Sequence, residues 1–278
     1  MKQAALAVFA VIAVAIAAAS AIASEEALPD SGEGGNAGII PQYYLKSLTG
    51  AGNGGANQTS SLTLGCEPEE AILAGGFGAV DVGTHVMENN IETLKPDSWR
   101  VAWRNDGTAD SVLVRVICRR ADPTRERITI NGFGAVNQPT TVSMNCSGTE
   151  LTGGFSGVGS ATTVIAMAPN IDANGWNLTW TNPTAADTVK LTAYCWQSAE
   201  TYWRGVSKRV AAGALGSISL SCFGGDVVAG IGFTSIEASD HLIGVRATDL
   251  RTATLSWRNG AAADSTGLKI VCLDVGRQ

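Results

Sequence analysis

The chain has 278 residues, a net charge of −6 and only 16% charged residues, with 33 glycines. That balance lacks the clustered Lys and Arg that phosphate binding needs and argues against a nucleic-acid partner. The charge-poor, Gly-rich composition describes a turn-rich β protein of extracellular type rather than a helical cytosolic one.

Residues 1–23 read as a secretory signal peptide, with Lys2 as the positive start, an uncharged apolar run from Ala4 to Ala19, and Ala21-Ile22-Ala23 as the small-residue cleavage site. The apolar run approaches the length of a membrane-spanning helix, so a retained N-terminal hydrophobic helix is the alternative. If uncleaved, this segment is the one membrane contact expected. Residues 24–60 read as a flexible Gly-rich leader. Within it, the short apolar piece around Tyr43 and Tyr44 has strand character and either completes the first repeat or pairs with a neighbouring subunit.

The rest of the chain repeats. Trp103-Arg104-Asn105, Trp180-Thr181-Asn182 and Trp257-Arg258-Asn259 recur at a spacing of 77 residues, each followed at equal distance by Asp110, Asp187 and Asp264 and then by Cys118, Cys195 and Cys272. A fixed period of this kind sets the architecture before any other reading. The expected units are β-repeat 1 over 61–121, β-repeat 2 over 122–197 and β-repeat 3 over 198–278.

Each repeat opens on a strand whose alternation places Leu62, Leu64 and Cys66, or Val142, Met144 and Cys146, or Ile218, Leu220 and Cys222, on one face. A Gly-rich segment follows (Gly75-Gly76-Phe77, Gly153-Gly154-Phe155, Gly230-Ile231-Gly232-Phe233), where glycine marks a bulge, a bend or a close backbone approach. Next comes a variable segment, then a Trp strand with Trp99, Val101 and Trp103 inward, as are Trp176, Leu178 and Trp180, and Ala253, Leu255 and Trp257. The closing strand turns Val112 to Cys118, Val189 to Cys195 and Thr266 to Cys272 to the same side. Both cysteines of every repeat thus face the apolar side, and the repeat selects the pairs Cys66/Cys118, Cys146/Cys195 and Cys222/Cys272. Each closes a loop of roughly 50 residues, worth about 4 kcal/mol on a chain-entropy argument. The fold expected is all-β: three antiparallel sheet repeats of about 77 residues with one disulfide each, either sharing a prism-like core or standing as tandem small β-sandwiches.

Asn105 with Asp110, Asn182 with Asp187, and Asn259 with Asp264 fall on the inner side at the mouth of a hairpin, where short polar side chains bond turn amides; they read as structural hairpin clasps. One recurring carboxylate per repeat is too few for calcium. Trp196, Tyr202 and Trp203 lie between repeats 2 and 3, outside the repeat pattern, and are the candidate ligand-binding residues. His85 and His241 sit nineteen residues after the first cysteine of their repeats, and Asp240-His241 is the only fragment of a catalytic constellation. No catalytic residues, no metal site and no cofactor are expected, and the protein reads as a non-enzyme.

The run Cys66, Gly75-Gly76-Phe77, Trp99-Arg100-Val101-Ala102-Trp103-Arg104-Asn105 and Val116-Ile117-Cys118 resembles a disulfide repeat found in secreted bacterial proteins, here in three copies. A weaker architectural similarity is to threefold β-prism proteins such as vitelline membrane outer layer protein. The resemblance implies an exported repeat protein and no activity. The function expected is a non-enzymatic structural or adhesive protein of the cell surface or extracellular matrix, possessing self-association as its partner chemistry and forming a filament or surface layer. The alternative is a lectin-like module binding surface glycans.

Overall fold

Period-two alternation extends over most of the chain, and the computed structural model is correspondingly all-β. It describes residues 22–26, 43–52, 57–78, 80–81, 83–92, 97–105, 110–120, 125–170, 174–196 and 200–277. In chain order the strands are β1 (Ile22–Glu26), β2 (Tyr43–Ala51), β3 (Thr59–Gly65), β4 (Glu70–Gly78), β5 (Thr84–Ile91), β6 (Ser98–Asn105), β7 (Ser111–Arg120), β8 (Arg125–Gly134), β9 (Thr140–Asn145), β10 (Thr149–Ser156), β11 (Thr163–Asn170), β12 (Gly175–Thr181), β13 (Asp187–Trp196), β14 (Thr201–Val210), β15 (Leu215–Ser221), β16 (Val227–Thr234), β17 (His241–Ala247), β18 (Thr252–Arg258) and β19 (Asp264–Leu273). The structural unit is six strands long: β2–β7, β8–β13 and β14–β19 are equivalent.

No unit keeps its strands together. Sheet I has the order β1-β2-β7-β4-β17-β18-β15, sheet II β3-β6-β5-β10-β13-β8, and sheet III β14-β19-β16-β11-β12-β9. Each sheet therefore joins half of one unit to half of another, and the third unit closes back on the first. The disulfides follow the same ring. Cys66–Cys118 ties the end of β3 in sheet II to β7 in sheet I, Cys146–Cys195 ties sheet III to sheet II, and Cys222–Cys272 ties sheet I to sheet III. Three sheets around one continuous core make the shared prism, not tandem sandwiches.

The joint inside each sheet is narrow. A single register pair connects the two halves: Phe77 with Val245, Phe155 with Asn89, and Phe233 with Met167. A Cβ on Gly154 would lie 2.6 Å from the Asn89 carbonyl oxygen, and Gly76 and Gly232 face the Val245 and Met167 carbonyls in the same way. The second glycine of the Gly-Gly-Phe segment is thus a close approach between units. The segment is also bulged at one equivalent place in each unit, between Ile72 and Ala74, Glu150 and Gly153, and Val228 and Gly230.

The inner faces carry the alternation into packing. Trp99, Trp103, Trp176, Trp180 and Trp257 are fully buried, with Phe77, Phe155 and Phe233 beside them. At about 25 cal/mol per Å² of apolar surface, such aromatics dominate the burial term.

Two expectations are corrected. The stretch 24–60 is not one flexible leader: Tyr43–Ala51 is a nine-residue strand, paired along its whole length with β7, because Tyr44 and Leu48 stand opposite the inward residues Cys118 and Val114 and extend the apolar face. The first unit accordingly begins at Tyr43 rather than at residue 61. The N-terminal helix lies outside the described residues, but β1 at Ile22–Glu26 adds to the free edge of β2.

Candidate functional site

The three clasps occupy equivalent positions and differ in one residue. In the first, Thr84 stands opposite Asn105, and its hydroxyl donates to Asp110 Oδ2 (2.6 Å) and Asn105 Oδ1 (3.3 Å); the Asp81 and Ser111 amides complete the Asp110 carboxylate at 3.0 and 2.8 Å. In the second, Thr162 donates to Asp187 and accepts from Asn182 Nδ2 (3.0 Å), while Trp180 Nε1 donates to Asp187 Oδ1 (2.8 Å) and Asn182 Oδ1 takes the Thr184 and Ala185 amides. Each of these carboxylates has its donors supplied.

The third clasp breaks the pattern. His241 pairs with Arg258, so Asp240 stands opposite Asn259, where the other two clasps have a threonine. Trp257 Nε1 donates to Asn259 Oδ1 (2.6 Å), and Asn259 Nδ2 donates to the Val210 carbonyl (2.7 Å). Asp240, itself buried, accepts from the Glu237 and Gly260 amides at 2.9 and 2.7 Å. Neither oxygen of the half-buried Asp264 accepts a well-formed hydrogen bond, although the Asn259 side chain lies beside it and partly offsets the burial. Burial, followed by the adjacent Asp240 carboxyl, pushes Asp264 up to about 6, since two carboxylates bond each other only through a shared proton. A clasp of the same type as the others was expected here; Asp240 in the threonine position makes it an acid pair.

Beside this pair lies a cavity of about 130 Å³ where the three units meet, lined by His85 and Val86 of β5, Thr163 and Val164 of β11, and Asp240, His241 and Leu242 at the start of β17. His85, Thr163 and His241 are equivalent by register, opposite Arg104, Thr181 and Arg258. His85 Nε2 lies 3.0 Å from the Gly159 carbonyl oxygen. The Asp240 carboxylate is held by backbone amides. Among the described residues no group of three or more His, Cys, Asp or Glu side chains is arranged for a metal ion.

The three candidate ligand residues do not form one platform. Trp196 is buried beneath the Arg119 guanidinium, 4.2 Å from its ring, and Arg119 also lies 5.9 Å from the Tyr43 ring. Tyr202 stacks on Phe223 at 5.8 Å and donates to Asp226 Oδ2 at 2.8 Å; burial, then that carboxylate, raises its phenol above the usual range. Trp203 alone presents its ring to solvent, at 44% exposure. Trp196 ends the interior strand β13, whereas Tyr202 and Trp203 open the edge strand β14.

Fold and site together define a disulfide-laced, three-sheet β-prism with pseudo-threefold internal repetition. No protein-family model and no curated protein matches the chain.

Proposed function

We propose that the protein is an exported, non-enzymatic structural or adhesive subunit that associates with further copies of itself at the cell surface. Three disulfides are typical of extracellular proteins, and the likeness to secreted bacterial disulfide repeats supports the same compartment.

The observation that carries the reading is a contrast between equivalent edges. On the first unit Tyr43, Tyr44, Leu45 and Leu48 of β2 are all buried. On the second and third units β8 and β14 are sheet edges, and the exposed large hydrophobic side chains gather at those corners: Phe133 at 78%, Leu215 at 63%, Phe223 at 60%, with Val136, Trp203 and Val206. An open edge with exposed apolar side chains is a template for strand pairing unless charge or covering blocks it. Sedimentation velocity across a concentration series, with negative-stain microscopy of the native surface fraction, tests this. Concentration-dependent assembly that is lost on Val206→Lys is expected, and a strictly monomeric wild type overturns the reading.

A second reading, carbohydrate binding, is favoured by the exposed Trp203 ring. A glycan-array signal lost on Trp203→Ala supports it, and a blank array removes it.

A further inference from the structure

The outward face of sheet I carries an arrangement that neither the clasps nor the open edges require. Where β4 of the first unit meets β17 of the third, Phe77, Val114, Val116, Val245 and Ala247 are buried against the core. By alternation Arg115, Gly76, Gly78, Gly244 and Arg246 face outward. The register places one row across the sheet: Arg115 opposite Gly76, then Arg246 opposite Thr254, and Thr254 opposite Ser219. Glycine floors the slot between the two arginines.

The Arg115 guanidinium is anchored by backbone carbonyls, and that of Arg246 lies over glycine. Arg115 Nη1 donates to the carbonyl oxygens of Thr248 (2.9 Å) and Ala247 (3.5 Å). Arg246 lies directly over Gly78, where any side chain would strike its guanidinium. The Nε atoms of both are enclosed and have no acceptor. Two other arginines are matched with acid: Arg100 lies 3.3 Å from Glu88 and 3.6 Å from Glu92, and Arg120 lies 3.8 Å from Glu70. Arg115 and Arg246 have no such partner among the described residues. In sheet II the equivalent row is closed internally, as Asn90 Nδ2 donates to Thr192 Oγ1 at 3.3 Å.

Two cations set side by side in a half-buried slot repel each other. Burial and then the Arg115 charge lower the proton affinity of Arg246. An anion relieves both costs, and the planar guanidinium fork matches the oxygens of carboxylate, sulfate and phosphate groups. We propose that Arg115 and Arg246, on either side of Gly76, form a binding site for one oxyanion; the Thr254 and Ser219 hydroxyls further along the row bond each other at 2.8 Å and take no part in it. The ligand class is a carboxylate, sulfate or phosphate group, either free or borne on a sugar. The site is independent of the open edges.

Thermal melts of the full oxidised chain test it, at constant ionic strength held with sodium chloride and with increasing sulfate, phosphate or glucuronate. In the wild type the melting temperature rises with the oxyanion; a response to glucuronate identifies the sugar-borne form, and a response to the inorganic ions alone identifies the free one. Arg246→Gln weakens the apparent affinity at least about tenfold, the loss of charge-assisted hydrogen bonds. It does not lower the melting temperature of the anion-free protein, because the repulsion is removed. Arg100→Gln, which leaves the slot intact, keeps the wild-type response. Identical responses in wild type and Arg246→Gln overturn the proposal. So does an Arg246→Gln variant that melts lower without anion and responds normally with it, since Arg246 is then only a cover over Gly78.

Discussion

Gly154→Ala tests the idea that the prism is held at three narrow joints. An alanine Cβ at this position lies 2.6 Å from the Asn89 carbonyl oxygen and 2.7 Å from Asn90 Cα, against 3.4 Å for ordinary contact. Both obstacles are backbone, so β5 and β10 must part by about 0.8 Å. That stretches a hydrogen bond of about 2.9 Å past its useful range. Overpacking of this kind costs about 1–3 kcal/mol, and a lost backbone bond about 1 more. The expected loss is about 3 kcal/mol, or roughly 6–12 °C in melting temperature for a domain of this size. Gly205→Ala is the control: on the open strand β14 its Cβ meets nothing closer than Lys269 Cγ at 3.6 Å. Replacing a strand glycine there stabilises by about 0.5 kcal/mol. The two variants should therefore move in opposite directions in a calorimetric scan of the oxidised protein. Equal melting temperatures would refute the close-approach argument.

The acid pair gives a pH dependence of definite sign. Asp264 has its folded value raised to about 6, so its contribution is present in full below the unfolded value near 4 and is lost as pH rises through about 6. Because Asp264 keeps part of its side chain in solvent, screening reduces the effect to about 1 kcal/mol; Asp240→Thr, which recreates the other clasps, should flatten that part of the stability-versus-pH curve in urea titrations between pH 4 and 8. Removing Cys222 and Cys272 together as alanines opens a loop of 50 residues and should cost about 4 kcal/mol, read from the urea midpoint. Thr162→Val leaves Asp187 and Asn182 short of a partner in a buried cluster and should cost about 1–3 kcal/mol by the same titration, while Thr184→Val, at the rim, costs less.

The inward faces were legible because period-two alternation survives in every unit, from Val112 through Cys118 to its two counterparts, and the repeat itself gave each cysteine one natural partner. What alternation does not contain is sheet membership. Nothing in β5 states that its neighbour across the joint is β10 of the next unit rather than β4 of its own; only the glycine opposite the Asn89 carbonyl hints at it, and only once the register is known. The strand from Tyr43 was half legible, as apolar character inside a Gly-rich stretch. Asp240 was noticed for its neighbour His241, whereas its consequence comes from replacing threonine, a comparison that needs the Asn259 register. The arginine slot was invisible, because Arg115 and Arg246 are 131 positions apart and each looks like a solvated outward residue on its own strand.

The closing of the third unit onto the first also sets the timing of synthesis. Sheet I's first half, β2, β7 and β4, has been synthesised once Arg120 is made, yet its other half ends at Arg258. At roughly 5–20 residues per second, the growing chain carries the exposed β4 edge for about 6–25 s before β17, complete at Ala247, is made to cover it. Linear repeat proteins settle unit by unit as they emerge. A ring cannot, and a nascent chain of this topology depends on whatever keeps that edge apart from other chains until its last strands appear.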